Sequence, residues 1–246
     1  MKKLFYILFA SVVLFSCDSD SNSNGNDLGS AIGQGGSLAS FIIAGNYLYT
    51  VDDQSLNVFS IVDSENPVKV NDIQIGFRIE TLFSYKQYLY IGSQNGMFIY
   101  SIENPEEPQY LSGVDHFTAC DPVVANYSYA FVTLHSNTDC GNDINVLEIY
   151  DVTDVLTPVL ISSRNLTNPI GLALYKDYLF VCDDEVKIFD VSNPEASVLV
   201  TTINRDVFDV IIKNNLLILI GENGLHQYRL DENNIENIVA LSTISF

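Results

Sequence analysis

The 246-residue chain has no tryptophan, two methionines and four cysteines. Cations are scarce too, with 11 Lys and Arg against 31 Asp and Glu. Phosphate recognition needs clustered Lys and Arg, and no such cluster occurs, which excludes nucleic acid as a partner. The carboxylate excess favours solubility and attracts cations or basic partners. Beyond residue 16 no apolar run is long enough to cross a bilayer as a helix. Helix caps and long stretches of 3.6-residue periodicity are missing, so helical and α/β folds are excluded. Chemical motifs are missing in the same way. There is no HExxH, His-x-His or CxxC spacing, no GxSxG elbow and no GxxxxGKS/T phosphate loop. The three histidines, His116, His135 and His226, make no catalytic set.

What is present begins at the N-terminus. Lys2 and Lys3 precede an almost unbroken apolar run from Leu4 to Phe15. This is the layout of a secretory signal, and a run of about 12 residues is too short for a permanent membrane span. The sequence Leu14-Phe15-Ser16-Cys17 resembles the lipobox of bacterial lipoproteins, with Phe15 where a small residue is usual. The resemblance implies cleavage after Ser16, acylation of Cys17, and an address in the cell envelope, at the outer membrane or cell surface. Several acyl chains on one residue give stable anchoring. Loss of Lys2 and Lys3 with residues 1–16 leaves 9 basic residues and a net charge of −22.

Residues 17–36 hold the lipidated Cys and a tract rich in Ser, Asn, Asp and Gly. Asp20, Asn22, Asn24 and Gly25 match the first half of an EF-hand loop, but the twelfth position is Ala31 where a bidentate Glu is required. The tract is instead a flexible tether with a reach of about 25 Å.

Residues 37–246 contain five copies of one unit. An aromatic-aliphatic strand recurs at 47–53 (YLYTVDD), 88–94 (YLYIGSQ), 129–135 (YAFVTLH), 178–184 (YLFVCDD) and 216–222 (LLILIGE), with starts 41, 41, 49 and 38 residues apart. Each copy follows a short apolar strand and a tight turn. A third strand and a corner, usually with proline, come next, as in LEIYDVTDVLTPVLI. A period near 40 residues with four short strands per unit predicts an all-β fold, a β-propeller of five four-stranded blades. Every unit is complete in the same phase, so the ring closes by packing of blade faces without exchange of a strand.

The strands LYTVD (48–52) and LFVCD (179–183), and corners such as IFDVSNP (188–194), resemble the LVIVD repeat of bacterial and archaeal cell-surface proteins. The resemblance spans all five units and is weakest in the fifth, where ENNIEN replaces the proline corner. It implies a propeller at the cell surface and carries no general catalytic activity.

Within each unit the four strands are A to D. The B–C loops and the entries to strand A share one end of an up-and-down propeller, and functional residues are sought on such loops. This end carries Asp52, Asp53, Asp183 and Asp184 from B–C loops. Glu80, His116, Asp121 and Asp209 lie at entries to strand A. The third B–C loop is longer by about eight residues, a length associated with function or disorder, and adds His135 and Asp143. Converging carboxylates there would hold Ca²⁺; alternatively Asp and Asn are present because they form turns. Cys140 in the long loop and Cys120 at the entry to the same unit are a natural disulfide in an exported protein, pinning the loop over the channel. Cys182 is a rival partner or a small buried apolar residue. Asn126 and Asn165 fit the glycosylation pattern, which carries little weight behind a bacterial-type leader.

The leading expectation is therefore a lipid-anchored binding module without a coherent catalytic set, presenting its acidic face to an extracytoplasmic protein, glycan or cation. The alternative is a propeller hydrolase or lyase using carboxylates at the channel mouth, with His116 or His135 assisting.

Overall fold

A computed structural model describes residues 36–115, 122–135 and 144–246. It is an all-β propeller of five blades, each a four-stranded antiparallel sheet whose strands pair in chain order. Blade 1 holds β1 (Phe41–Ala44), β2 (Tyr47–Val51), β3 (Ser55–Ser60) and β4 (Val68–Gln74). Blade 2 holds β5 (Ile79–Tyr85), β6 (Tyr88–Ser93), β7 (Gly96–Ser101) and β8 (Gln109–Asp115). Blade 3 is β9 (Val123–Ala125), β10 (Tyr129–Leu134), β11 (Val146–Asp151) and β12 (Val159–Asn165). Blade 4 is β13 (Leu172–Tyr175), β14 (Tyr178–Cys182), β15 (Val186–Asp190) and β16 (Val198–Ile203). Blade 5 is β17 (Asp209–Lys213), β18 (Leu216–Gly221), β19 (Gly224–Arg229) and β20 (Val239–Ile244). The recurring aromatic-aliphatic segments are thus the second strands, as the repeat predicts.

Two local devices recur because the sequence repeats. In four blades the A–B hairpin turns through one left-handed residue, with φ of 59° at Gly45, 54° at Lys86 and Lys176, and 53° at Asn214. Lys is an uncommon choice for that conformation, which Gly and Asn adopt more readily. In all five blades the pairing of strands C and D slips by one residue just before an aromatic: Phe59, Tyr100, Tyr150, Phe189 and Tyr228. A bulge at this point bends and twists the outer strand.

Alternation along each strand gives a blade two apolar faces, and stacking buries them. Four seams are packed in this way, between blades 1 and 2, 2 and 3, 3 and 4, and 4 and 5. Polar bonds cross the same seams. The Tyr49 hydroxyl donates to the Pro105 carbonyl at 2.9 Å, the Arg164 guanidinium to the Ser197 carbonyl, and the Tyr175 hydroxyl to Asn215 Oδ1 at 2.9 Å. Among the described residues no comparable core joins blade 5 to blade 1. The free face of blade 1 leaves Phe41 61% exposed, and that of blade 5 leaves Ile244 58% exposed. Among the described residues each blade is built from four consecutive strands, and face-to-face packing is found at four seams rather than the five of a ring closed by blade faces.

The chain enters blade 1 through residues 36–40, which bind across the upper end. The Leu172 amide of blade 4 donates to Ser37 Oγ at 2.8 Å, and the Leu82 amide of blade 2 donates to the Ala39 carbonyl at 2.7 Å. Ser37 is 1% exposed. The lead-in therefore ties non-adjacent blades together.

Candidate functional site

The upper end, where B–C loops and entries to strand A meet, is where the sequence places its candidates. Register alignment puts Ser40, Thr81, Pro122, Gly171 and Asp209 at one equivalent position, beside the start of strand A in each blade. Only one of the five is a carboxylate. Among the described residues the acids of this end are therefore spread over the rim, not gathered around the axis.

Asp209 is half-buried, and its carboxyl lies 2.1 Å from where a Cβ on Gly36 would stand and 2.7 Å from one on Gly171. Only glycine at both positions leaves room for it. Burial pushes the carboxyl up to about 6, against the Val210 amide and the Ser37 hydroxyl, which hydrogen-bond to it and favour the anion. Cys182 sits nearby, fully buried in the seam between blades 4 and 5. Its thiol is free and is pushed well above the usual range by burial, and further by the Asp209 charge. It behaves as a small apolar residue, since a reactive thiol needs an exposed, electropositive setting.

Asp183 has a fully buried side chain and many partners. Its carboxylate accepts from the backbone amides of Thr167 and Asn168 and from the Lys187 ammonium. Thr167 and Asn168 belong to the loop entering blade 4, so Asp183 fastens that loop to the end of β14. Asp184 is exposed and shares Lys187 at 2.6 Å, a bond that holds its carboxyl below the ordinary range.

Asp52 occupies the position of Asp183 in blade 1, with Asn57 in place of Lys187. It accepts from the amides of Gln54 at 3.0 Å and Ser55 at 2.9 Å and from Asn57 Nδ2 at 2.9 Å. The Gln54 amide is the main cause of its lowered pKa. This is an Asx turn, the local chemistry that makes Asp a turn residue. Asp53 is exposed, and its carbonyl accepts from the Ile79 amide. Glu80, half-buried within a bulge of β5, has its pKa raised by burial, opposed by Arg78. His135 follows β10 and is half-buried.

The described candidate carboxylates thus fall into two groups, Asp52, Asp53 and Glu80 on blades 1 and 2, and Asp183, Asp184 and Asp209 on blades 4 and 5, with His135 on blade 3 between them. Among the described residues no three His, Cys, Asp or Glu side chains are grouped to hold a metal ion. A cleft of about 220 Å³ between blades 4 and 5 is lined by Asn168, Asp183, Asp206, Phe208 and Glu222. Cys17, His116, Cys120, Asp121, Cys140 and Asp143, with the lipidation and disulfide expectations they carry, lie outside the described residues. Gly36, Ser37 and Gly171 were not legible as site residues, because small residues carry no periodicity and only the tertiary approach to Asp209 gives them a role.

The LVIVD repeat model matches residues 170–204, which is blade 4 with its entry. No curated protein matches the sequence. Among solved structures, a functionally unknown protein from Desulfotomaculum acetoxidans is similar with a TM-score of 0.67 at 11% identity, over 85% of this chain and 68% of that one. The periplasmic gluconolactonase PpgL of Pseudomonas aeruginosa gives 0.63 at 13%, over 82% and 68%. Hsv2 of Kluyveromyces lactis gives 0.54 at 10%, over 81% of this chain and 59% of that one. At these identities the likeness establishes the fold and nothing of the chemistry.

Proposed function

We propose that this propeller is a non-catalytic interaction module of the cell envelope, held by lipid on Cys17 and presenting its acidic rim to a basic surface of an extracytoplasmic protein. The observation that carries this reading is the setting of Asp209. It is the candidate carboxyl with a pKa lifted toward neutrality, the property a general acid needs. The chain's own Gly36 and Ser37 lie against it and occupy one side of the carboxyl, which weighs against a general-acid role. The remaining acids act differently. Asp183 is consumed by the fold, whereas Asp53, Asp184 and Glu222 stand exposed on loops, where a partner meets them.

Long-range attraction between an acidic rim and a basic partner speeds encounter and is screened by salt. Titration of the purified protein with envelope proteins and with polybasic peptides, by calorimetry at low and high salt, tests the reading. Binding that weakens with salt and is lost in an Asp53→Asn, Asp184→Asn, Glu222→Gln triple variant is the expected result. Turnover of a small substrate that Asp209→Asn abolishes is the result that overturns it. The anchor has its own test: a mature protein beginning at Cys17 without added acyl mass in intact mass spectrometry contradicts it.

A further inference from the structure

The lower end of the propeller, where A–B hairpins meet C–D corners, lies opposite the acidic rim and has a repeated chemistry of its own. Tyrosine hydroxyls and a lysine there bond across the seams. Between blades 1 and 2 the Tyr47 hydroxyl donates to Glu106 Oε1 and the Tyr49 hydroxyl to the Pro105 carbonyl, both at 2.9 Å. Between blades 4 and 5 the Tyr175 hydroxyl donates to Asn215 Oδ1 at 2.9 Å, and the Lys176 ammonium pairs with Glu232 at 3.3 Å. In each case the next blade supplies the acceptor.

Blade 2 carries all four donors at once, because Tyr85, Lys86, Tyr88 and Tyr90 hold the places of Tyr175, Lys176, Tyr47 and Tyr49. Among the described residues none of these four side chains has a hydrogen-bond or carboxylate partner. The sequence of blade 3 explains why. Counted from the ends of the paired C strands, Leu156 stands where blade 2 has Glu106, and Ser128 where blade 5 has Asn215. The Val155 carbonyl, in the place of Pro105, accepts from the Ser112 hydroxyl instead. Asp154, in the place of Glu232, engages the Leu156 amide and the Thr157 hydroxyl.

The four unpartnered donors line a cleft of about 190 Å³ between blades 2 and 3. Tyr90 is 1% exposed, and burial pushes its phenol well above the usual range, so it stays a donor. A buried donor without an acceptor costs free energy. The fold does not require this hydroxyl, since blades 3 and 4 carry Phe131 and Phe180 at the same position. Beside the cleft, the Lys86 ammonium lies 4.5 Å from the ring centre of Tyr127, which is 71% exposed. Asn126 Oδ1 accepts from the amides of Ser128 and Tyr129, an Asx turn that presents a large aromatic where the other four blades place a left-handed residue.

A ligand that fits this lining accepts hydrogen bonds, carries negative charge for Lys86 and offers C–H groups to aromatic rings. We propose that the cleft binds an acidic sugar, a pyranose bearing a carboxylate, such as a uronate unit of a glycan. The carboxylate meets Lys86, the sugar ring packs on Tyr127, and sugar oxygens accept from the hydroxyls of Tyr88 and Tyr90. This site is separate from the acidic rim, so either can fail without the other.

The test titrates the full chain in detergent with glucuronate, glucose, acetate and inorganic phosphate, read by saturation-transfer NMR and calorimetry. Glucuronate is expected to bind saturably, glucose about tenfold more weakly for want of the charge contact, and acetate and phosphate not to displace glucuronate. Tyr90→Phe is expected to weaken glucuronate binding about tenfold. Lys86→Asn places there the residue that blade 5 carries at its own left-handed position, Asn214. It is expected to lower the affinity for glucuronate to that for glucose and to leave glucose unchanged. Lys176→Asn, the blade 4 counterpart, is expected to change neither. A wild type that does not bind glucuronate overturns the proposal. Acetate or phosphate that binds as tightly as glucuronate overturns the sugar assignment, and an unchanged affinity in Tyr90→Phe or Lys86→Asn overturns the placement of the site.

Discussion

Asp52-Asp53 in blade 1 and Asp183-Asp184 in blade 4 are the same two residues at the same place in the repeat, yet the structure uses them differently. Each first aspartate bonds to a polar side chain at one equivalent position of strand C, Asn57 or Lys187. The difference comes from the preceding blade. Blade 3 feeds a loop into blade 4, and the amides of Thr167 and Asn168 close over Asp183. Among the described residues no preceding blade supplies such amides to blade 1, and Asp52 bonds within its own turn and to Asn57. The aspartate that ends strand B is therefore a clamp to the preceding loop in blade 4. In blade 1 it is left at the surface, free for a partner.

Substitution of the clamp gives the largest expected contrast. Asp183→Ala leaves two amides without their acceptor and Lys187 with Asp184 alone, and is expected to cost about 3 kcal/mol in urea unfolding. Similar costs for Asp183→Ala and the matching Asp52→Ala would break the comparison.

The second contrast uses pH. Asp209 titrates at about 6 in the fold and near 3.8 when unfolded. Its ionisation is therefore opposed by the fold: below about pH 4 the group is neutral in both states and costs nothing, and the cost grows until it is complete above pH 6. The penalty is about 3 kcal/mol at pH 8. Asp209→Asn is expected to be stabilised relative to wild type at pH 8 and to lose that advantage at pH 4, measured as the difference between their unfolding curves. A difference independent of pH contradicts the buried setting.

Third, Gly171→Ala places a Cβ at 2.6 Å from the Phe208 carbonyl oxygen and is expected to cost about 2 kcal/mol. Blade 1 carries Ser40 at this position, exposed to solvent. Ser40→Ala is expected to be neutral in thermal unfolding, and the pair sharpens the same comparison. The smallest effect belongs to Asp52→Ala, about 1 kcal/mol for loss of turn bonds at the surface.

Much of this was legible in the sequence. Five strand repeats, their phase and their turns specify the blades, because alternation and turn chemistry are local properties. The position of Asp209 on the upper end also followed from topology. What the repeat cannot display is which copy has a neighbour: Phe41 and Leu82 are both large apolar residues in equivalent places, and only the assembled arc exposes one and buries the other. The same holds for Asp52 and Asp183. The Gly36-Ser37 lead-in reads as the end of a polar tether, and its role depends on a contact with residues more than 130 positions away.

The central claim is that the exposed acids bind and that Asp209 does no chemistry. Calorimetric titration of the wild type, the Asp53→Asn, Asp184→Asn, Glu222→Gln triple variant and Asp209→Asn against the same basic envelope partner tests it most directly. The account predicts that the triple variant loses binding while Asp209→Asn keeps it. Retained binding in the triple variant, or its loss together with a catalytic activity in Asp209→Asn, contradicts it.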